Sequence, residues 1–319
     1  IDSTEIVSIA EMATKTIVQI QVGEVNENDE FISLGGGSGV VISSEGLIIT
    51  NHHVIDDAAS VRVIFEDGRM YKAEIIGSDQ LTDIGLVKIE SNNLTPIAIG
   101  NSDILVVGDL AVAIGHPLTL GAAPTVTTGI VSALERRLDV GGQDMSSSVT
   151  LFGLIQTDAP ITRGSSGGAL LNQNGELIGI TTAIATADVG AEGLGFAVPI
   201  NLALNISQDL LDDGKVYHSF LGILGAQHFE VAEDGARIFS GVVIQELYGP
   251  ANDIYAIGKA GALPGDIIKK VNGKNIKTLD GLISLLRSKK AGDEISIEIT
   301  RNGQAIILEF LLDLRPSDV

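Results

Sequence analysis

Asp158-Ala159-Pro160-Ile161-Thr162-Arg163-Gly164-Ser165-Ser166-Gly167-Gly168-Ala169-Leu170 is the stretch from which the rest of this chain can be read. A serine among glycines has two explanations. Ser and Gly fill flexible turns as a matter of course. A nucleophilic serine instead needs an exposed hydroxyl, a base, and backbone N–H groups aimed at a developing oxyanion. Glycine beside Ser166 lets the chain turn sharply enough to supply them. Downstream, Ala169-Leu170-Leu171 and Leu177 to Ile184 flank Asn172-Gln173-Asn174-Gly175. That is a hairpin signature, so strands and not a helix are expected after the serine.

The candidates for a base lie upstream. The chain has five histidines, His52, His53, His116, His218 and His228. His52 and His53 follow the apolar run Leu47-Ile48-Ile49-Thr50-Asn51, where a base at a strand end is held rigidly but faces a cleft. His116, His218 and His228 have no such setting and read as surface or structural. Asp83 opens the run Asp83-Ile84-Gly85-Leu86-Val87-Lys88-Ile89. A carboxylate buried there needs a partner, because an unpaired buried charge is expensive. An imidazole N–H would satisfy it and fix the tautomer of the base. Each element alone has a bland reading, a turn serine, a surface histidine, a turn aspartate. Together they run His, Asp, Ser in β-rich surroundings, which is the chymotrypsin order.

The surroundings are β-rich throughout the first two hundred residues. Val61 to Phe65, Glu66-Asp67-Gly68 and Met70 to Ile76 read as strand, turn and strand. Leu110 to Ile114 and Thr125 to Ala133 are further strand candidates, and short strands with Gly-rich turns suggest a sandwich or barrel. One helix follows, with Asn201 as expected N-cap, Leu202, Ile206, Leu210 and Leu211 on one face, and Gly214 as the stop. After Asp212-Asp213-Gly214-Lys215 the character changes. Strands are expected at Phe220 to Leu224, Gly241 to Glu246 and Asp266 to Val271, with a helix at Leu279 to Ser288 capped by Thr278. The alternating runs Glu294 to Ile299 and Ala305 to Leu312, joined through Asn302-Gly303, indicate a half-buried hairpin. The expected division is therefore 1–215 and 216–319.

Composition excludes several classes. The 319 residues carry a net charge of −21, with 45% hydrophobic residues, 38 Gly, no Trp and no Cys. The apolar fraction is too high for a disordered chain. The acidity argues against nucleic acid or an anionic membrane as main partner, since both need clustered Lys and Arg. Without Cys there are no disulfides, thiolate metal sites or Cys nucleophiles. No run reaches the roughly 20 apolar residues that span a bilayer. The chain starts at Ile1 and not Met, so a removed signal peptide or anchor is expected, and no anchor is present in this stretch. Residues 1–215 hold nine basic and 28 acidic groups, a balance of −19, against −2 for residues 216–319.

The motifs resemble those of the HtrA/Deg family of trypsin-like serine proteases. The resemblance rests on Gly37-Ser38-Gly39-Val40-Val41-Ile42, Thr50-Asn51-His52-His53-Val54-Ile55, Asp83 to Ile89, Gln156-Thr157-Asp158-Ala159, Gly164 to Leu170 and Gly193-Leu194-Gly195-Phe196-Ala197-Val198-Pro199. It implies a mainly β fold, a chymotrypsin-like double β-barrel with the triad in the cleft. It selects His53, the His directly before Val-Ile, as base, Asp83 as orienter and Ser166 as nucleophile. Gly164, Ser166 and Ser165 would supply the oxyanion hole, and Ile161, Ile184 and Leu194 an apolar specificity pocket. That pocket implies cleavage after small or medium aliphatic residues and not after Lys or Arg. Pro117 to Pro124 and Leu138 to Thr150 lie where the family has regulatory loops, and Arg136 matches a position that helps switch the site on. Ser165 departs from the family's usual Asn. Being neutral, it cannot pair with a freed N-terminal ammonium, so Ile1 is not expected to act in zymogen fashion. Gly164 to Gly168 also fits the Gly-x-Ser-x-Gly pattern of α/β-hydrolases, but that reading needs a helix after the serine and a later catalytic histidine.

Ser219-Phe220-Leu221-Gly222-Ile223 and Gly265-Asp266-Ile267-Ile268-Lys269-Lys270-Val271-Asn272-Gly273 resemble a PDZ domain, β-sandwich-like with flanking helices. The resemblance implies that a peptide C-terminus adds as a strand and that the N–H groups of Leu221, Gly222 and Ile223 hold its carboxylate. Phe220, Leu282 and Leu285 would line the pocket for its last side chain, although plain core explains the two leucines equally well. The resemblance further implies unfolded protein substrates, a homotrimer, an extracytoplasmic location, and no metal or cofactor. The contrasting expectation is a peptide-binding or chaperone-like scaffold with an inert protease module.

Overall fold

Strands form where β-branched residues cluster, and here they close on themselves. The computed structural model describes residues 3–116, 123–140, 149–182, 194–249 and 253–316. Strands β1 (Ile17–Val25), β2 (Phe31–Val41), β3 (Leu47–Thr50), β4 (Ser60–Ile64), β5 (Met70–Asp79) and β6 (Ile84–Ile89) form a closed barrel in the order β1-β2-β3-β6-β5-β4. Strands β7 (Leu110–Gly115), β8 (Thr125–Val140), β9 (Val149–Thr157), β10 (Ala169–Leu171), β11 (Leu177–Thr182) and β12 (Gly195–Pro199) form a second, in the order β10-β11-β12-β9-β8-β7. Closure removes the unpaired edges that an open sheet would expose.

The period of two along a strand explains how these barrels join. Successive side chains point to opposite faces. Val18, Ile48 and Val87 fill the first barrel, while their chain neighbours Ile17, Ile49 and Leu86 enter a shared cluster outside it. In the second barrel Leu170 points inward and Ala169 and Leu171 point to that same shared cluster. Strands buried on both faces read as continuous apolar runs, which is why Leu47 to Thr50 and Ala169 to Leu171 lack polar alternation. Each fully buried Ile or Leu contributes about 1.5–3 kcal/mol of transfer free energy.

Helices cover the shared cluster. α1 (Ser3–Ala13) buries Ile9 and Ala13, four residues apart on one face. The one-turn α2 (His52–Ile55) follows β3, and α3 (Ile200–Asp213) buries Ala203, Ile206 and Leu210. Gly214 stops α3 with φ +71°, its N–H donating to the Leu210 carbonyl at 2.8 Å. Two expectations need correcting. The N-cap is Pro199, and Asn201 lies inside the helix with its N–H donating to Ser102 Oγ at 3.1 Å. Leu211 is exposed, because the buried stripe of the helix runs through Ala203, Ile206 and Leu210 and leaves the next residue facing outward.

The chain divides by compactness at Val216/Tyr217. The second unit has β13 (Ser219–Phe220), β14 (Ile223–Val231), β15 (Arg237–Leu247), β16 (Ile267–Val271), β17 (Lys274–Asn275), β18 (Glu294–Arg301), β19 (Gln304–Leu311) and β20 (Asp313–Leu314). Its main sheet runs β14-β15-β16-β18-β19, with helices α4 (Ala256–Lys259) and α5 (Leu279–Arg287). Thr278 caps α5, its hydroxyl accepting from Gly281 N–H at 3.1 Å. The expected strand Phe220 to Leu224 is broken in two. Gly222 has φ +73° and its Cα lies against the Tyr255 ring, so the chain turns there and no Cβ would fit.

Candidate active site

His53 and Asp83, the expected base and orienter, are joined by three hydrogen bonds. His53 Nδ1 lies 2.9 Å from each Asp83 carboxylate oxygen, and the His53 backbone N–H donates to Asp83 Oδ1 at 3.1 Å. Asp83 is buried and His53 is one-third exposed, so the carboxylate stays dry while the ring faces outward. Thr182 Oγ1, at the end of β11, donates to Asp83 Oδ2 at 3.0 Å. Asn51 Nδ2 and His52 N–H both donate to the Asp83 carbonyl, at 2.9 and 3.2 Å.

Local sequence shapes that grip. Asp79 accepts from Thr82 N–H at 3.0 Å, forming a tight turn directly before Asp83. Asp83 itself has φ +56°, a left-handed conformation that Asp tolerates better than most residues. The turn points its carboxylate back at α2 before β6 begins. α2 also separates the two histidines. His52 Nδ1 pairs with Ser78 Oγ at 2.9 Å and its Nε2 lies 3.7 Å from Asp56, so His52 is committed elsewhere.

The Ser166 segment is fastened to the first barrel. Ser38 N–H donates to the Ser166 carbonyl at 2.7 Å. A Cβ on Gly37 would lie 2.8 Å from both the Ser166 carbonyl and Val54 of α2, so glycine there lets the serine close on the helix that carries His53. Gly167 has φ +83° and lies against the Ser38 carbonyl and Thr50 Oγ1. Of the three expected oxyanion donors, Ser165 is committed to a turn, its N–H donating to the Thr162 carbonyl at 2.9 Å. That expectation narrows to Gly164 and Ser166. Ser166, His53 and Asp83, the expected nucleophile, base and orienter, thus come from three segments of both barrels, an arrangement suited to acyl transfer.

Around this centre the expected residues separate. Ile161 is buried and packs across Gly195, where an added Cβ would lie 2.7 Å from Ile161 Cδ1. Leu194 is exposed at 36%, and Ile184 lies outside the described residues, as do Ile1, Pro117 to Ala122 and residues 141–148. Arg136 sits on the surface at an irregularity of the β8–β9 pair, with Nε donating to Gln156 Oε1 at 2.9 Å. In the second unit Phe220 packs edge-on against Tyr255 with ring centroids 5.1 Å apart. Leu221 is buried, Ile223 starts β14, and β14 is the end strand of its sheet. Leu282 is in the core, and Leu285 packs partly buried against it. Thr182 and Ser38 were not singled out from sequence. A lone hydroxyl in a strand carries no pattern of its own.

Comparison with known proteins agrees with the fold. Residues 37–180 match the trypsin-like peptidase domain and residues 222–311 the PDZ domain. The chain is 42% identical over 293 residues to the periplasmic pH-dependent serine endoprotease DegQ of Escherichia coli, covering 89% of this chain and 60% of that protein. It is 40% identical over 298 residues to the periplasmic serine endoprotease DegP of Salmonella typhimurium, covering 91% and 59%. The chain therefore spans about 60% of the length of these curated relatives. Among solved structures, the HtrA-type protease AlgW with tripeptide matches with a TM-score of 0.76 and 33% identity, over 98% of this chain and 97% of that one.

Proposed function

Since the chain belongs to the HtrA/Deg family of trypsin-like serine proteases with a PDZ domain, we propose that it is an ATP-independent serine endopeptidase. The observation that carries this reading is the grip of Asp83 on His53, with the Ser166 segment closed on the same helix. His53 takes the Ser166 proton as the hydroxyl attacks a peptide carbonyl. Asp83 holds Nδ1–H in place and stabilises the imidazolium, and His53 then returns the proton to the leaving amine. Gly164 and Ser166 N–H groups receive the oxyanion. These residues suffice for the step, and the reading calls on no metal or cofactor.

The substrates are unfolded or damaged proteins, cut after small or medium aliphatic residues. Ile161 lying across Gly195 supports a shallow apolar pocket, and such side chains are hidden in folded proteins. The PDZ domain takes C-terminal peptides on the edge of β14, with the turn at Leu221-Gly222 holding the carboxylate. The reading includes a homotrimer, an extracytoplasmic location and a switching role for Arg136, and the periplasmic relatives support the location. The scaffold reading has no comparable support, because nothing in the triad's hydrogen bonds marks it as inert.

A fluorophosphonate probe tests the reading. It should label Ser166, and Ser166→Ala should lose labelling and roughly 10⁶-fold of turnover. Cut sites mapped on an unfolded protein should follow Val and Ala. Arg136→Ala should blunt stimulation by a C-terminal peptide. Unlabelled wild-type protein would leave the inert scaffold as the better account.

A further inference from the structure

An oxyanion hole is a pair of N–H vectors, and each vector is set by whatever holds its peptide plane. The plane between Ser165 and Ser166 is held at its carbonyl end, which accepts from Thr181 Oγ1 at 2.6 Å and from Gly168 N–H at 2.9 Å. The Ser166 N–H is the other end of that plane. The plane between Gly164 and Ser165 is held at both ends. Its carbonyl accepts from Ser38 Oγ at 2.7 Å, and its N–H closes the turn on Thr162.

That turn bears directly on the second vector. Gly164 is its third residue and has φ +96°, the sign required by a type II turn. Types I and II differ by a flip of the central peptide, here Arg163–Gly164, whose N–H is the Gly164 donor. Tethering the Gly164 carbonyl therefore opposes the flip that would turn this donor away. Ser38 and Thr181 are both fully buried, so water does not compete for their hydroxyls. Ser38 Oγ accepts the His116 N–H at 2.7 Å, which leaves its own proton for Gly164. Ser165 is neutral and its hydroxyl lies 3.4 Å from Thr162 Oγ1, so a serine hydroxyl and not an ion pair stands at this turn.

We propose that Thr181 and Ser38 are positioning residues for the reaction at Ser166, two hydroxyls that orient the oxyanion-binding peptides in place of a charged anchor. The proposal rests on the protease reading above. Neither side chain touches substrate. They act through backbone carbonyls of the serine loop, one from each barrel.

Thr181 allows a clean test, because Val matches its shape without the hydroxyl and Ser keeps the hydroxyl without the methyl. Three readouts are measured on the full chain: kcat and KM on a peptide with Val before the scissile bond, inhibition by the matching peptide boronic acid, and the melting temperature. The boronate adduct places an oxygen in the hole, so it reports the hole without turnover. Thr181→Val should lower kcat about 10- to 100-fold, less than loss of a whole donor, with KM within about twofold. It should weaken the boronate by a similar factor, and Thr181→Ser should recover most of both. Ser38→Ala should show the same split. Wild-type kcat and boronate affinity in Thr181→Val would overturn the proposal and leave the protease reading standing. A loss of kcat without loss of boronate affinity would also overturn it. A wild-type protein that neither labels with fluorophosphonate nor cleaves would overturn both.

Discussion

Thr182 stands behind Asp83 as Asp83 stands behind His53. Its hydroxyl is one donor among several to a buried carboxylate, so its loss should be graded and not absolute. Thr182→Val should reduce kcat roughly 10-fold, in line with the 1–3 kcal/mol cost of an unmade buried hydrogen bond. Substrate KM should hold, and steady-state kinetics will separate the two. The choice between His52 and His53 shows what the sequence could and could not disclose at this scale. Both follow β3, and apolar patterning treats them alike. The difference is made by α2, whose consecutive side chains diverge by about 100°. One histidine turns to Ser78 and the other to Asp83. Motif resemblance chose His53, but the physical reason lies in a four-residue helix that no periodicity reveals.

Strands were easier to read than their ends. Val61 to Phe65 and Met70 to Ile76 were legible because β-branched residues flank an Asp-Gly turn, and they pair as β4 and β5. The break at Leu221-Gly222 was not, since only the approach of the Tyr255 ring demands it. α1 was missed because two apolar contacts, Ile9 and Ala13, are too few for a periodic signal. In α5 the cap was legible at Thr278, but the strand side was not. Gln227 of β14 clasps the helix start, its Oε1 accepting Leu279 N–H at 3.1 Å and its Nε2 donating to the Lys277 carbonyl at 2.8 Å. A pH effect belongs to the β8–β9 pair. The Thr150 hydroxyl, and after it Arg137, hold the Asp139 carboxyl below its ordinary value. This tie is present above the ordinary carboxylate pKa of about 3.9 and is lost as pH falls through the lowered value. Asp139 is exposed, so the effect is local. Thr150→Val should raise the Asp139 titration midpoint toward the ordinary value, as followed by carbon-13 NMR.

At the scale of the whole chain, the second unit has a hydrophobic core of its own, so its stability can be tested by itself. Leu282 is fully within the second unit's core, beside Ile295, Ile297 and Ile299. Leu282→Ala should cost that unit about 2–5 kcal/mol by calorimetry. Fluorophosphonate labelling of Ser166 should persist, because no residue of the triad shares that core. The charge follows the same division, −19 against −2, and composition alone disclosed it.

The split of the triad across two barrels also has a consequence in time. A ribosome delivers β1 to β6 first, with His53 and Asp83 but without Ser166 or Thr182. A half-made chain therefore holds a base and no nucleophile. Asp83 gains its Thr182 donor only when β11 arrives, and the second barrel closes only with β12 after it. The proposed catalytic group is thus brought together late in synthesis, from strands of both barrels.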